Sequence, residues 1–169
     1  MSGQRLNGVK GRPEGTDVRV SRGGIEEDLR SLAFQVKEGL LQVRNRRARL
    51  PALAAEPPVA RVWEESLALH LARLGTLVLE LANLWVLEKR LGIPRKETEG
   101  LDLLVRAGVL APDHARRLRM VADYRLWVAR DLARQDRSRW LNGEEGTEEL
   151  GLIEGFLAEV SRAVGHPLP

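Results

Sequence analysis

The stretch Asp123–Leu132, DYRLWVARDL, sets two arginines, Arg125 and Arg130, five residues apart in a segment otherwise patterned as an amphipathic helix. A guanidinium is a fixed cation with five N–H donors and no acceptor, so it can hold a phosphate but cannot act as a base at physiological pH. Arg125 interrupts an apolar register made by Ala115, Leu118, Val121, Ala122, Val128, Ala129 and Leu132. The stretch is therefore either a former active site or an ordinary helix carrying an internal arginine. Asp131 and Asp136 read as solvated partners of neighbouring arginines rather than a metal pair, because no third ligand is in register. His70 lies on the apolar stripe of its own helix with Leu74 at i+4, and is expected to be a hydrogen-bonded core histidine. The chain has no cysteine, which excludes a thiol nucleophile and a thiolate metal site. No metal and no cofactor is expected.

The elements that must position these residues follow from apolar spacing. Residues 1–24 carry Gly, Pro and Arg with few large apolar side chains and read as a flexible arm; 25–169 read as one domain. Ile25, Leu29, Leu32, Val36, Leu40 and Val43 recur at three and four, one stripe of a long helix opened by acidic EED and closed by basic RNRRAR. Those charges complement the helix dipole, so Arg44, Arg46, Arg47 and Arg49 are expected to be a solvated helix terminus. Pro51, Pro57 and Pro58 break the chain. A second helix is expected over Val59–Leu91, stopped by Gly92 with Pro94 beyond. Its main stripe is Trp63, Leu67, Leu74, Leu77, Val78, Leu81, Leu84 and Trp85. Leu69, Leu79 and Val86 lie on another side and are expected to meet a second subunit. A short helix around Glu97–Ala107, a helix from Pro112 to about Gln135, and a last one with Leu150, Ile153, Leu157, Val160 and Val164 on one face complete the pattern. No segment alternates as a strand would. The expected class is all-α, an up-and-down helical bundle of four to five helices preceded by an N-terminal arm.

Twenty-seven basic against twenty-four acidic residues leave +3, too little to announce a nucleic-acid binder. The pI of 9.8 reflects a preference for arginine over lysine, which composition alone explains. The most apolar run, SLALHLARLGTLVLELANLW, is interrupted by His70, Arg73 and Glu80, and no basic-plus-apolar leader opens the chain. The expectation is a cytoplasmic protein with no membrane partner.

Two further stretches carry a family resemblance. LVLELANLW presents an acidic-x-x-Asn pair, Glu80 and Asn83, on the central helix. RLGIPRKETEGLDLLVRAGVLAPDHARRLRMVADYR then runs through a Gly-Ile-Pro turn, a short helix, a Gly-Val-Leu break and a leucine-rich helix ending in Met-Val-x-x-aromatic-Arg. In these ordered landmarks, which cover roughly two thirds of the chain, the sequence resembles the HepT-like branch of the HEPN helical ribonucleases, the toxin half of a toxin and nucleotidyltransferase-antitoxin pair. The resemblance implies a HEPN-like bundle, a homodimer with its cleft between subunits, a nucleotidyltransferase antitoxin-like partner, RNA as the substrate class, and Arg125, Arg130, Glu80 and Asn83 as binding positions.

The family's motif is Arg, usually Asn, three residues, His, one residue, Tyr. Arg125 keeps the arginine, which makes it the family-matched catalytic position, but Leu126, Arg130 and Leu132 stand at the other three places. A metal-independent ribonuclease needs a group near neutral pKa to take the ribose 2′-hydroxyl proton and a cation to steady the phosphate. Arg125 suits the second task. Arg130 cannot perform the first. Leu132 also removes the hydroxyl that the resemblance assigns to adenylylation by the partner. His114 lies eleven residues before Arg125, about 16 Å along a helix, so it reaches that site only from another subunit. The expected protein is non-catalytic and binds a nucleotidyltransferase-type partner, RNA, or both. Two alternatives stand beside it: an active endoribonuclease with a non-standard base, and a helical adaptor with no nucleic-acid role.

Overall fold

The computed structural model describes the backbone of residues 22–53, 55–131 and 144–164, and the side chains of 24–53, 55–123 and 147–164. These residues form α1 (Arg22–Arg49), α2 (Pro57–Glu88), α3 (Glu99–Arg106), α4 (Pro112–Asp131) and α5 (Glu144–Val164), with a 3-10 turn at Pro51–Leu53. Among the described residues there is no strand. The class is the expected all-α bundle.

The direction of the four long helices can be read from their contacts. Near the end of α1, Arg46 and Arg49 meet Ser66 and Trp63 near the start of α2, while a Cβ on mid-helix Gly39 would touch Leu74. These helices are antiparallel. Gly75 of α2 abuts Ala122 of α4, His114 of α4 reaches Leu152 of α5, and Arg117 reaches Glu148. Arg44 pairs with Glu154 to bring α5 back against α1. The result is an up-down-up-down bundle, with α3 as a short side helix in the connection from α2 to α4.

The apolar stripes become the core. Leu29, Val36, Leu40 and Val43 of α1 are buried together with Ala33, and Leu150, Ile153, Leu157 and Val160 of α5 are joined by Phe156. The Phe156 ring meets Trp85 edge-on at 5.7 Å, an arrangement that matches the positive edge of one ring to the negative face of the other. Helix α2 lies at the centre. It starts on Pro57 and Pro58, where a missing N–H is harmless. By length and apolarity it is long enough to cross a membrane, yet 56% of its most apolar window is buried by its neighbours, as befits a core helix.

Three expectations are corrected. Leu79 and Val86 are buried within their own subunit at 1% and 0% exposure, so they cannot form a second-subunit face; Leu69 remains exposed at 59%. Helix α1 begins at Arg22, within the stretch assigned to the arm, and its first turn holds no acid; Glu26, a turn later, pairs with Arg30 at 2.7 Å. Helix α2 ends at Glu88, before the expected glycine stop. Arg90, at φ 57°, takes the left-handed position, with Leu91 N–H donating to Val86 O at 3.0 Å and Arg90 N–H to Leu87 O at 3.1 Å. That pair of hydrogen bonds is a Schellman closure normally given to glycine, and a side chain there costs roughly 1 kcal/mol. Helix α3 closes the same way on Gly108 at φ 70°.

Candidate functional site

Helix α4 places the two arginine positions differently. Ala115, Leu118, Val121 and Ala122 form its buried row. Arg125, three residues past Ala122, takes the next place in that row, as the sequence register requires. Arg130 is five residues further, about 140° around the helix, in the row of Arg119 and Asp123. The side chains of Arg125, Leu126, Arg130 and Asp131 lie outside the described residues, as do Leu132 and Asp136 altogether.

The register between α2 and α4 comes from a glycine. A Cβ on Gly75 would stand 2.9 Å from Ala122 Cα and 3.0 Å from Val121 O, so the two backbones touch at this point and fix which residues are level. Counting outward along antiparallel helices, Arg125 is level with Ala72 and Arg130 with Leu67. Glu80 and Asn83 lie toward the other end. Glu80 is offset from Arg125 by about 12 Å and from Arg130 by about 20 Å along the axis. The four positions named from the sequence are thus not one constellation within a subunit.

Glu80 is exposed, and Asn83 is half-buried with both ends of its amide engaged. Its Oδ1 accepts from Gly100 N–H at 3.0 Å and its Nδ2 donates to Glu97 O at 3.0 Å. Thr98, the residue at the N-cap of α3, makes no side-chain cap, so Asn83 reaches across from α2 and supplies one. Gly100 is a glycine because any Cβ would collide with Asn83 Oδ1 and the α2 backbone. Glu99 finishes the joint by accepting from the N–H groups of Arg95 at 2.6 Å and Lys96 at 3.3 Å.

The described histidines are structural. His70 Nδ1 lies 2.7 Å from Ser66 O, and the ring belongs to the row of Leu74 and Leu77, which faces α1 rather than α4. It is level with Arg125 but on the wrong side. His114 Nε2 donates to Leu152 O at 2.9 Å, its ring meets Phe156 edge-on, and Nδ1 lies 3.8 Å from Glu159. Both nitrogens are thus turned to α5. His166 lies outside the described residues. Beside His114, the Arg116 guanidinium bonded to Asp113 at 2.6 Å holds that exposed carboxyl below its usual range. Among the described residues no group of three acidic, histidine or cysteine side chains could hold a metal.

What the sequence missed is the pair of glycine contacts, Gly75 and Gly100. The signal was present, since an isolated glycine inside an apolar helical pattern marks close backbone approach.

No protein-family model matches the sequence, and no curated protein does. Solved structures do. A mutant of the toxin-antitoxin pair MntA-HpeT aligns with a TM-score of 0.57 at 12% identity, covering 82% of this chain and 98% of that one. A toxin-antitoxin structure with AMP-PNP aligns at 0.55, again at 12% identity and the same coverage. A tri-AMPylated Shewanella oneidensis HEPN toxin in complex with MNT antitoxin gives 0.43 at 14% identity over 77% and 93%, too loose to carry weight. The five helices among the described residues and the near-complete coverage of the first two neighbours agree: the chain has the all-α bundle fold of these toxin-antitoxin structures.

Proposed function

We propose that the protein is a non-catalytic HepT-like HEPN protein of a toxin-antitoxin type system, a cytoplasmic homodimer that binds a nucleotidyltransferase-type partner, RNA, or both. The observation that carries this is a HEPN-like bundle whose α4 keeps Arg125 but has Arg130 at the place of the base. Two features support it. His70 and His114 are committed to backbone carbonyls elsewhere, so neither offers a general base to Arg125 within a subunit. Val62 and Leu69, exposed at 64% and 59% and two turns apart on α2, are large apolar side chains that a second copy could cover.

The test is a time course on total RNA with the unaltered protein and Arg125→Ala. Both are expected to leave the RNA intact. Rapid cleavage by the unaltered protein, abolished by Arg125→Ala, would establish an active endoribonuclease, and the base would then be sought from a partner subunit. Sedimentation at micromolar concentration, alone and with a minimal nucleotidyltransferase of the antitoxin type, is expected to show a dimer and a complex. A monomer that ignores that protein would leave a simple helical adaptor.

A further inference from the structure

One end of the bundle carries cations held by neutral groups. Arg44 near the end of α1 is matched by Glu154, and elsewhere Arg30, Arg61, Arg116, Arg117 and Arg119 each lie against a carboxylate. Arg46 and Arg49 differ. Arg46 is placed by Gln42 Oε1 at 2.6 Å and Ser66 Oγ at 3.3 Å, and Arg49 lies over the Trp63 ring, 5.8 Å from its centroid. These contacts fix where the guanidiniums sit without cancelling their charge. An indole face attracts a guanidinium without using its N–H donors, which are left for an anion. Between them Arg47 is partly buried, and that burial lowers its pKa from the ordinary arginine value. The α4 backbone carrying Arg125 and Arg130 runs toward this same end. The expectation of a merely solvated terminus accounts for the charge at this end but not for the neutral partners that hold Arg46 and Arg49.

We infer that Arg46 and Arg49, braced by Gln42, Ser66 and Trp63, form a contact for the phosphodiester backbone of single-stranded RNA, separate from the α4 motif. Two forks that hold oxygens in place suit successive phosphates, and no base-reading group is required. The inference takes its ligand class from the RNA branch of the proposed function but uses none of that reading's residues.

The experiment is fluorescence anisotropy of a labelled oligouridine at salt concentrations from about 50 to 200 mM. It compares the unaltered protein with Arg46→Gln/Arg49→Gln, with Arg46→Lys/Arg49→Lys, and with Arg125→Ala/Arg130→Ala. Loss of two phosphate contacts should flatten the slope of log affinity against log salt by about 1.4, or about sevenfold over that range. The glutamine pair is expected to show this at an unchanged melting temperature, and the lysine pair to keep most of the slope. The Arg125→Ala/Arg130→Ala variant separates the two sites: if it alone loses binding, the α4 reading stands and this inference falls. Equal binding by the unaltered protein and the glutamine pair, or no binding by either, overturns it. So does competition by AMP as effective as that by the unlabelled oligomer, which would mean a mononucleotide site.

Discussion

Replacing Leu126, Arg130 and Leu132 together by Asn, His and Tyr should raise RNA cleavage by about two to four orders of magnitude over the unaltered chain, the usual worth of positioned acid-base catalysis. The gain comes chiefly from Arg130→His. An imidazole titrates near neutrality and can take the 2′-hydroxyl proton, whereas guanidinium has neither the lone pair nor the pKa. Arg125 would still supply the phosphate cation from the same helix. Adding Arg125→Ala to the triple variant should return cleavage to background, which separates the restored site from a contaminating nuclease. A triple variant that folds, dimerises and cleaves nothing would mean that the cleft has been lost along with its residues.

Gly75→Ala should cost about 2–3 kcal/mol, because the added carbon meets backbone on α4 rather than a side chain that can turn away. For a chain of this size that is a fall in melting temperature of about 4–12 °C. Gly151 on α5 is the matched control. A Cβ there meets nothing within 4 Å, so Gly151→Ala should raise stability by about 0.5–1 kcal/mol through helix propensity and unfolded-state entropy. Thermal melts followed by circular dichroism compare the two. An equal, small response at both positions would mean that α2 and α4 separate more easily than their contact suggests.

Much of the fold was legible in the sequence for a simple reason. Stripes such as Leu29, Val36, Leu40 and Val43 encode burial with a period that only a helix satisfies, and they are buried as expected. The failures have physical causes too. Leu79 and Val86 looked surplus because one-dimensional spacing cannot tell how many neighbours a central helix has; α2 is packed on several sides at once. Gly92 looked like the helix stop because glycine is the cheapest left-handed residue, yet α2 ends at Glu88 and Arg90 takes the left-handed position despite the backbone cost. For the candidate site, spacing located Arg125 and Arg130 on one helix, but the separation of Glu80 from them depends on Gly75 and could not be read before α2 and α4 were docked.

Asn83 shows how genetics could mislead here. If an alanine scan flagged it, its place in a family-like segment would invite a ligand-contact interpretation. The amide instead bridges Glu97 and Gly100, tying the side helix to the core. A phenotype from its loss would travel through the joint between α2 and α3, and would be shared by any change that frees Gly100. Epistasis tells the two origins apart. Damage passing through the joint would merge with damage at Gly100 in the double variant, whereas a direct contact would add to it.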